Sequence, residues 1–198
     1  MIMRVRRLIR QPGCNGGVDL KIYMTRHGQT AYNKQELILG TTDIPLDSTG
    51  EKQAEELAEK VAALENVDIM LVSPMKRAMQ TAEIVAERCR IDIIVDNRLR
   101  EWDYGEYEGK SRFTEGFADN KSNFGVRMGE SGESLLQLVH RVYSALEDII
   151  EKYHDKNVLI VCHGGVCRVI ETYFNDMTTE QFSNWFMDNC GLIEYNTD

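Results

Sequence analysis

From Leu20 onward, apolar residues recur with two spacings that alternate along the chain. "LKIYMT" (residues 20–25) is a short, nearly continuous apolar run of strand length. "STGEKQAEELAEKVAAL" (48–64) places Ala54, Leu57, Ala58, Val61 and Leu64 on one helical face, and Ser48 and Glu51 stand at the spacing of a capping box. "DIMLVSP" (68–74) returns to a strand and is ended by Pro74; "MKRAMQTAEIVAERC" (75–89) is helical through Ala78, Ala82, Val85 and Ala86. "IDIIV" (91–95) predicts another strand. A segment rich in Gly, Glu and aromatic residues follows, from about Arg98 to Gly132, without either period. Helical spacing resumes through Leu135, Leu138, Val139, Val142, Leu146, Ile149 and Tyr153. "NVLIVC" (157–162) is the most apolar strand, "GVCRVIETYF" (165–174) a helix, Thr178 and Gln181 the cap of another, and "GLIEY" (191–195) a last strand.

Strands that are apolar throughout, separated by amphipathic helices, indicate a mostly parallel sheet covered on both faces. The expected fold class is therefore α/β, a three-layer α/β/α sandwich, with one domain over residues 20–198. The 98–132 stretch is too long for a plain connection and is expected to act as a functional lid on that domain. Residues 1–19, "MIMRVRRLIRQPGCNGGVD", show no such pattern and lack the apolar stretch of a signal peptide; they are expected to form a flexible basic extension.

Charge sharpens the picture. The chain has 198 residues and a net charge of −9. Residues 1–20 carry +3, four arginines against Asp19, so the other 178 carry −12. An acidic body of this kind argues against a nucleic-acid surface. No apolar run reaches membrane-spanning length. Five scattered cysteines, without a secretory signal, suit reduced thiols and a cytoplasmic protein. An anionic ligand would need a local cluster of arginines to overcome the global field.

Such a cluster is suggested by a repeated grammar. "YMTRHGQT" and "VLIVCHGG" both run a strand into a histidine followed by glycine. In open α/β sheets ligands collect at the carboxyl ends of strands, where His27 and His163 would both stand. Gly28 and Gly164 allow tight turns, and helices starting beyond them point unpaired N–H groups at an anion. Arg26 adds a fork of donors suited to phosphate oxygens, and Arg77 opens the helix after another strand end. Cys162, His163 and Cys167 are zinc-ligand types. However, Cys162 precedes His163 on a strand and should face the other way, and the arginines would repel a cation. Zinc is therefore set aside, and no metal or other cofactor is expected.

"TRHGQTAYN", "LDSTGEKQA", "LVSPMKRAMQTA", "LREWDYGEYEG" and "VCHGG", in that order, resemble the histidine phosphatase superfamily, also called phosphoglycerate mutase-like. The resemblance implies that His27 is the residue phosphorylated, and that His163 is a second pocket histidine that becomes cationic around bound phosphate. It further implies that Arg26, Arg77, Asn33, Gln29, Thr30 and Gly164 contact the phosphoryl group. Glu101 takes the position of the acid that protonates the leaving group and later activates water; Asp103 is the nearby alternative. The physics agrees, since neighbouring guanidiniums disfavour imidazolium and keep a nucleophilic nitrogen free.

Within the family, "DYGEYEG" followed by "GESGES" looks more like broad-specificity and α-ribazole phosphatases than mutases. The expected activity is metal-independent hydrolysis of small phosphorylated metabolites. The alternatives are mutase-type phosphoryl transfer and, in another class, a non-catalytic phospho-ligand binder or phosphohistidine carrier. Phe113, Phe117 and Phe124 either pack the lid onto the body or line an apolar pocket. Arg112 and Arg127 are either solvated or contact a second anionic group. The oligomeric state stays open between monomer and homodimer.

Overall fold

The computed structural model describes residues 3–6, 20–64 and 66–197. Its sheet is built from β1 (Met3–Arg6), β2 (Lys21–Arg26), β3 (Ile69–Val72), β4 (Asp92–Val95), β5 (Val158–Cys162) and β6 (Leu192–Asn196), in the order β1-β6-β2-β5-β3-β4. All neighbours are parallel except β2 and β6. Four residues of the expected flexible extension thus form an edge strand beside β6. The rest of that expectation, residues 1, 2 and 7–19, lies outside the described residues.

The strand period sorts the core into two layers. On β2, Ile22 and Met24 face one side, with Val158, Ile160 and Cys162 of β5; there they meet α5 (Leu135–Lys152) and α6 (Gly164–Phe174). Tyr23, Leu159 and Val161 face the other side, against α2 (Ser48–Ala62) and α3 (Lys76–Cys89). Burying an apolar side chain of this size stabilises by roughly 1.5–3 kcal/mol, so both faces must be covered. That is the three-layer sandwich the pattern predicts. The cap of α2 differs from expectation: Asp47, not Ser48, is the N-cap, its carboxylate accepting from the Thr49 and Gly50 N–H groups. A charged oxygen one residue earlier satisfies the same orphan donors and suits the helix dipole.

The 98–132 segment is integrated with the body. It holds two short 3-10 turns, Asn97–Leu99 and Gly105–Tyr107, and α4 (Phe117–Asn120). Trp102 and Met128 are fully buried, and the Trp102 indole donates to the Glu133 carbonyl at 2.8 Å. Phe117 packs into this layer against Tyr104 and Tyr107. Phe124 does not: it is 62% exposed. Arg127 is spent on the loop itself, donating to the Gly132 carbonyl. No helix among the described residues is long and apolar enough to cross a membrane.

Candidate active site

Register explains why the two histidines meet. β2 and β5 run parallel with Arg26 opposite Cys162, so the next residue of each strand emerges beside the other. The His27 N–H closes the ladder on the Cys162 carbonyl, and the imidazole centroids lie 5.1 Å apart. β3 ends one strand further along, and Ser73 follows it with its N–H on the Val161 carbonyl. Because β6 is antiparallel, its start lies at this same edge, with Leu192 opposite Thr25. The segment before it, Phe186 to Cys190, therefore folds over the histidines: Cys190 N–H donates to the Arg26 carbonyl and the Asn189 amide to the His27 carbonyl.

The hydrogen bonds define the state of His27. Nδ1 stands 2.7 Å from the Gly28 carbonyl and must carry its proton to bond there. Nε2 faces the Arg77 Nε–H at 3.2 Å and presents a lone pair. The same Nε–H is shared with His163 Nδ1, also at 3.2 Å, while His163 Nε2 meets the Ser73 hydroxyl at 2.7 Å. Arg77 is fully buried; its remaining nitrogens are fixed by the carbonyls of Thr42 and Gly40. Burial first, then Arg77, push both imidazoles well below the usual histidine pKa, with Arg26 adding to both and His27 to His163. Both rings are thus neutral at pH 7.

Arg26 is the half-buried counterpart of Arg77. One of its terminal nitrogens donates to the Met187 carbonyl at 2.9 Å, and Phe186 stacks beneath the guanidinium. Its buried Nε–H has no partner. A methyl group placed on Gly164 would meet that nitrogen at 3.6 Å and Glu101 Oε2 at 3.9 Å, so the donor and the carboxylate flank one spot. An unpaired buried donor of this kind costs free energy unless a ligand oxygen answers it.

Glu101 is 4% exposed and held from three directions. Its carboxylate accepts the Trp102 N–H at 2.8 Å and the Gly165 N–H, at the start of α6, at 3.1 Å on each oxygen. Its backbone is clamped by Arg141, which donates to the carbonyls of Arg98, Arg100 and Glu101 and pairs with Glu133. Asp103 instead accepts the Gly105 N–H within its own loop and does not line the cavity.

These groups open on a cavity of about 400 Å³ whose wall includes Arg26, His27, Asn33, Glu101, Gly164 and Asn189. Arg77 and His163 adjoin this wall through His27, both imidazoles converging on the Arg77 Nε–H. Gln29 and Thr30 are not on the wall. The Gln29 backbone is tied to α2 through Gln53 and Asp47, and the Thr30 hydroxyl caps α1 (Ala31–Lys34). Asn33 Oδ1 is turned back onto the Thr30 N–H, which leaves its amide hydrogens for the cavity. Cys162 packs into the apolar layer, its sulfur 3.5 Å from that of Cys167. Sequence reasoning missed Ser73, Tyr104, Lys121, Arg168 and the Phe186–Asn189 segment. Arg168 alone carried a usable signal, standing on the helix that opens at the second His-Gly. The others reach the site only through the fold.

The arrangement can hold a tetrahedral anion against a neutral imidazole nitrogen, with a carboxyl group alongside. Comparison with known proteins points the same way. The chain is 34% identical to an "Uncharacterized phosphatase PhoE" of Bacillus subtilis, across 85% of this chain and 84% of that protein. It is 31% identical to "Phosphoglycerate mutase-like protein 4" of Arabidopsis thaliana, across 75% and 68%. The solved structure of YhfR from Bacillus stearothermophilus superposes with a TM-score of 0.77 at 29% identity, covering 88% of this chain and 90% of that one. Residues 22–198 match the family described as histidine phosphatase superfamily, branch 1, and the chain belongs to that superfamily.

Proposed function

We propose that the protein is a phosphomonoesterase that works through a phosphohistidine on His27 Nε2. One observation carries this reading: the bond from Nδ1 to the Gly28 carbonyl leaves Nε2 unprotonated, and His27 lines the cavity that also holds the unpaired Arg26 donor and Glu101. The lone pair attacks phosphorus as the ester P–O bond breaks, and the departing alkoxide takes a proton from Glu101. Arg26 and Arg77 balance charge on the equatorial oxygens. The bound dianion favours protonation of His163, which adds a further donor. Glu101 then removes a proton from water, which attacks phosphorus; the N–P bond breaks and orthophosphate leaves. The positive charge the reaction needs comes from guanidiniums and imidazole, so a divalent cation is not required. The cysteine usage supports a cytoplasmic setting, and the site supports a small phosphorylated metabolite as substrate.

The test is release of p-nitrophenol from its phosphate ester in the presence of EDTA, with alkaline quench and mass spectrometry for phosphate on His27. Activity is expected to survive the chelator and to vanish in His27→Ala. Chelator-sensitive activity, or an active His27→Ala, refutes the mechanism. Faster transfer of the phosphoryl group to added phosphoglycerate than to water would assign a mutase instead.

A further inference from the structure

The proposed acid, Glu101, sits on neither a helix nor a strand. It follows the 3-10 turn Asn97–Leu99 in an irregular stretch of backbone. A misplacement of about 1 Å in a reacting group costs on the order of 10²-fold in rate, so something outside this stretch must hold it.

That support comes from α5. Arg141 on this helix is buried, and all five of its N–H donors have partners. Nε and one terminal nitrogen meet the two carboxylate oxygens of Glu133, each at 2.8 Å. The same terminal nitrogen also donates to the Glu101 carbonyl at 2.9 Å. The other donates to the carbonyls of Arg98 and Arg100 at 2.6 and 2.7 Å. A planar fork of five donors can answer two carboxylate oxygens and three carbonyls at once; an ammonium, with three, cannot.

Glu133 holds the same stretch twice more. Its carbonyl accepts the Trp102 indole N–H at 2.8 Å, and its own N–H donates to the Asp103 carbonyl at 2.9 Å. Residues 101, 102 and 103 are thus fixed in succession from the start of α5, a helix anchored in the core by Leu138, Val142 and Ala145. Apolar side chains of similar volume often stabilise a core as well as a buried ion pair does, but they cannot hold carbonyls in place. Neither Arg141 nor Glu133 lines the cavity, so neither touches a substrate there.

We propose that Arg141 and Glu133 form a positioning pair for the reaction, setting the backbone of Glu101 so that its carboxyl group reaches both the leaving oxygen and the attacking water. The proposal rests on the phosphomonoesterase reading for the role of Glu101.

The experiment is a double-mutant cycle with Arg141→Lys and Glu101→Gln, made singly and together, on glycerol 3-phosphate and p-nitrophenyl phosphate. Lysine keeps the charge opposite Glu133 and removes the fork. Arg141→Lys alone is expected to lower kcat for glycerol 3-phosphate about 10²-fold with KM little changed. Its first turnover of p-nitrophenyl phosphate should stay fast, because that leaving group departs without a proton. Added to Glu101→Gln, it should cost little further, since the group it positions is no longer an acid. Wild-type kcat in Arg141→Lys, an equal loss in the first turnover of both esters, or a full additional loss in the Glu101→Gln background overturns the proposal. Circular dichroism and urea denaturation check folding. Should Arg141→Lys not fold, Glu133→Gln takes its place in the cycle: it keeps one acceptor for Arg141 and its backbone bonds to Trp102 and Asp103. The same signature is then expected at smaller amplitude, and failure of both variants to fold makes the pair structural and overturns the proposal. Wild-type protein that turns over neither ester sinks the phosphatase reading and the positioning role with it. An active wild type with an additive cycle sinks the positioning role alone.

Discussion

Replacing Glu101 by glutamine separates the two halves of the proposed reaction. Glutamine keeps one carbonyl oxygen, which can still accept the Trp102 N–H at 2.8 Å and the Gly165 N–H at 3.1 Å. The second arm of the forked Gly165 bond is replaced by an amide NH2 that faces the same N–H, a cost of about 1–3 kcal/mol. For a chain of this size each kcal/mol is roughly 2–4 °C in melting temperature, so the variant should stay folded at about 25 °C. The chemical loss is larger. A positioned acid–base contributes about 10²–10⁴ in rate, or roughly 3–5 kcal/mol of barrier. p-Nitrophenolate leaves without a proton, so phosphorylation of His27 should stay fast while attack by water slows. Rapid-quench kinetics should therefore show a burst of about one p-nitrophenol per His27, followed by turnover roughly 10²-fold or more below wild type. Glycerol 3-phosphate, whose alkoxide needs the proton, should give no burst. Wild-type steady-state turnover by Glu101→Gln, or a burst of equal size with both esters, refutes the assignment of Glu101 to both proton transfers.

Other perturbations test the scaffold behind the cavity. Arg77→Lys replaces a fork that holds two carbonyls and both imidazoles by a point charge; kcat/KM for p-nitrophenyl phosphate should fall about 10²-fold. Both buried imidazoles have folded pKa values depressed by burial and by Arg77. Their contribution to stability is therefore complete above the unfolded value of about 6.5 and is lost as pH falls below it, at up to about 1.4 kcal/mol per pH unit for each. Urea denaturation between pH 6.5 and 5.5 should show this slope, reduced by about half in His163→Gln. Two glycine substitutions should differ in kind. A methyl on Gly28 meets the Gly50 carbonyl oxygen at 2.4 Å, rigid backbone at the start of α2, and should destabilise by roughly 1–3 kcal/mol in thermal denaturation. A methyl on Gly165 meets Glu101 Oε1 at 2.6 Å, the end of a side chain, and should mainly lower turnover of alkyl phosphates.

Local patterns along the chain were enough to read the layers and the two reacting ends of the sheet. Apolar runs at β2 and β5 could only be strands buried on both faces, and the helical stripes of α2, α3, α5 and α6 had to cover them. His27 and His163, each one residue past such a strand and before a glycine, were readable because strand, turn and glycine are local features. Glu101 and Arg77 were readable through the family resemblance of their motifs. Which neutral groups answer them follows from the packing of distant segments. Ser73 meets His163 because β3 lies beside β5, and the Phe186–Asn189 segment covers Arg26 because β6 runs against β2. It also left Gln29 and Thr30 off the cavity wall, the Gln29 backbone being held by α2 and the Thr30 hydroxyl by the cap of α1. Lys121 and Arg168, far apart in sequence, share a cavity for the same reason. Strand order and side-chain competition for nearby backbone groups are long-range properties, and no spacing along the chain records them.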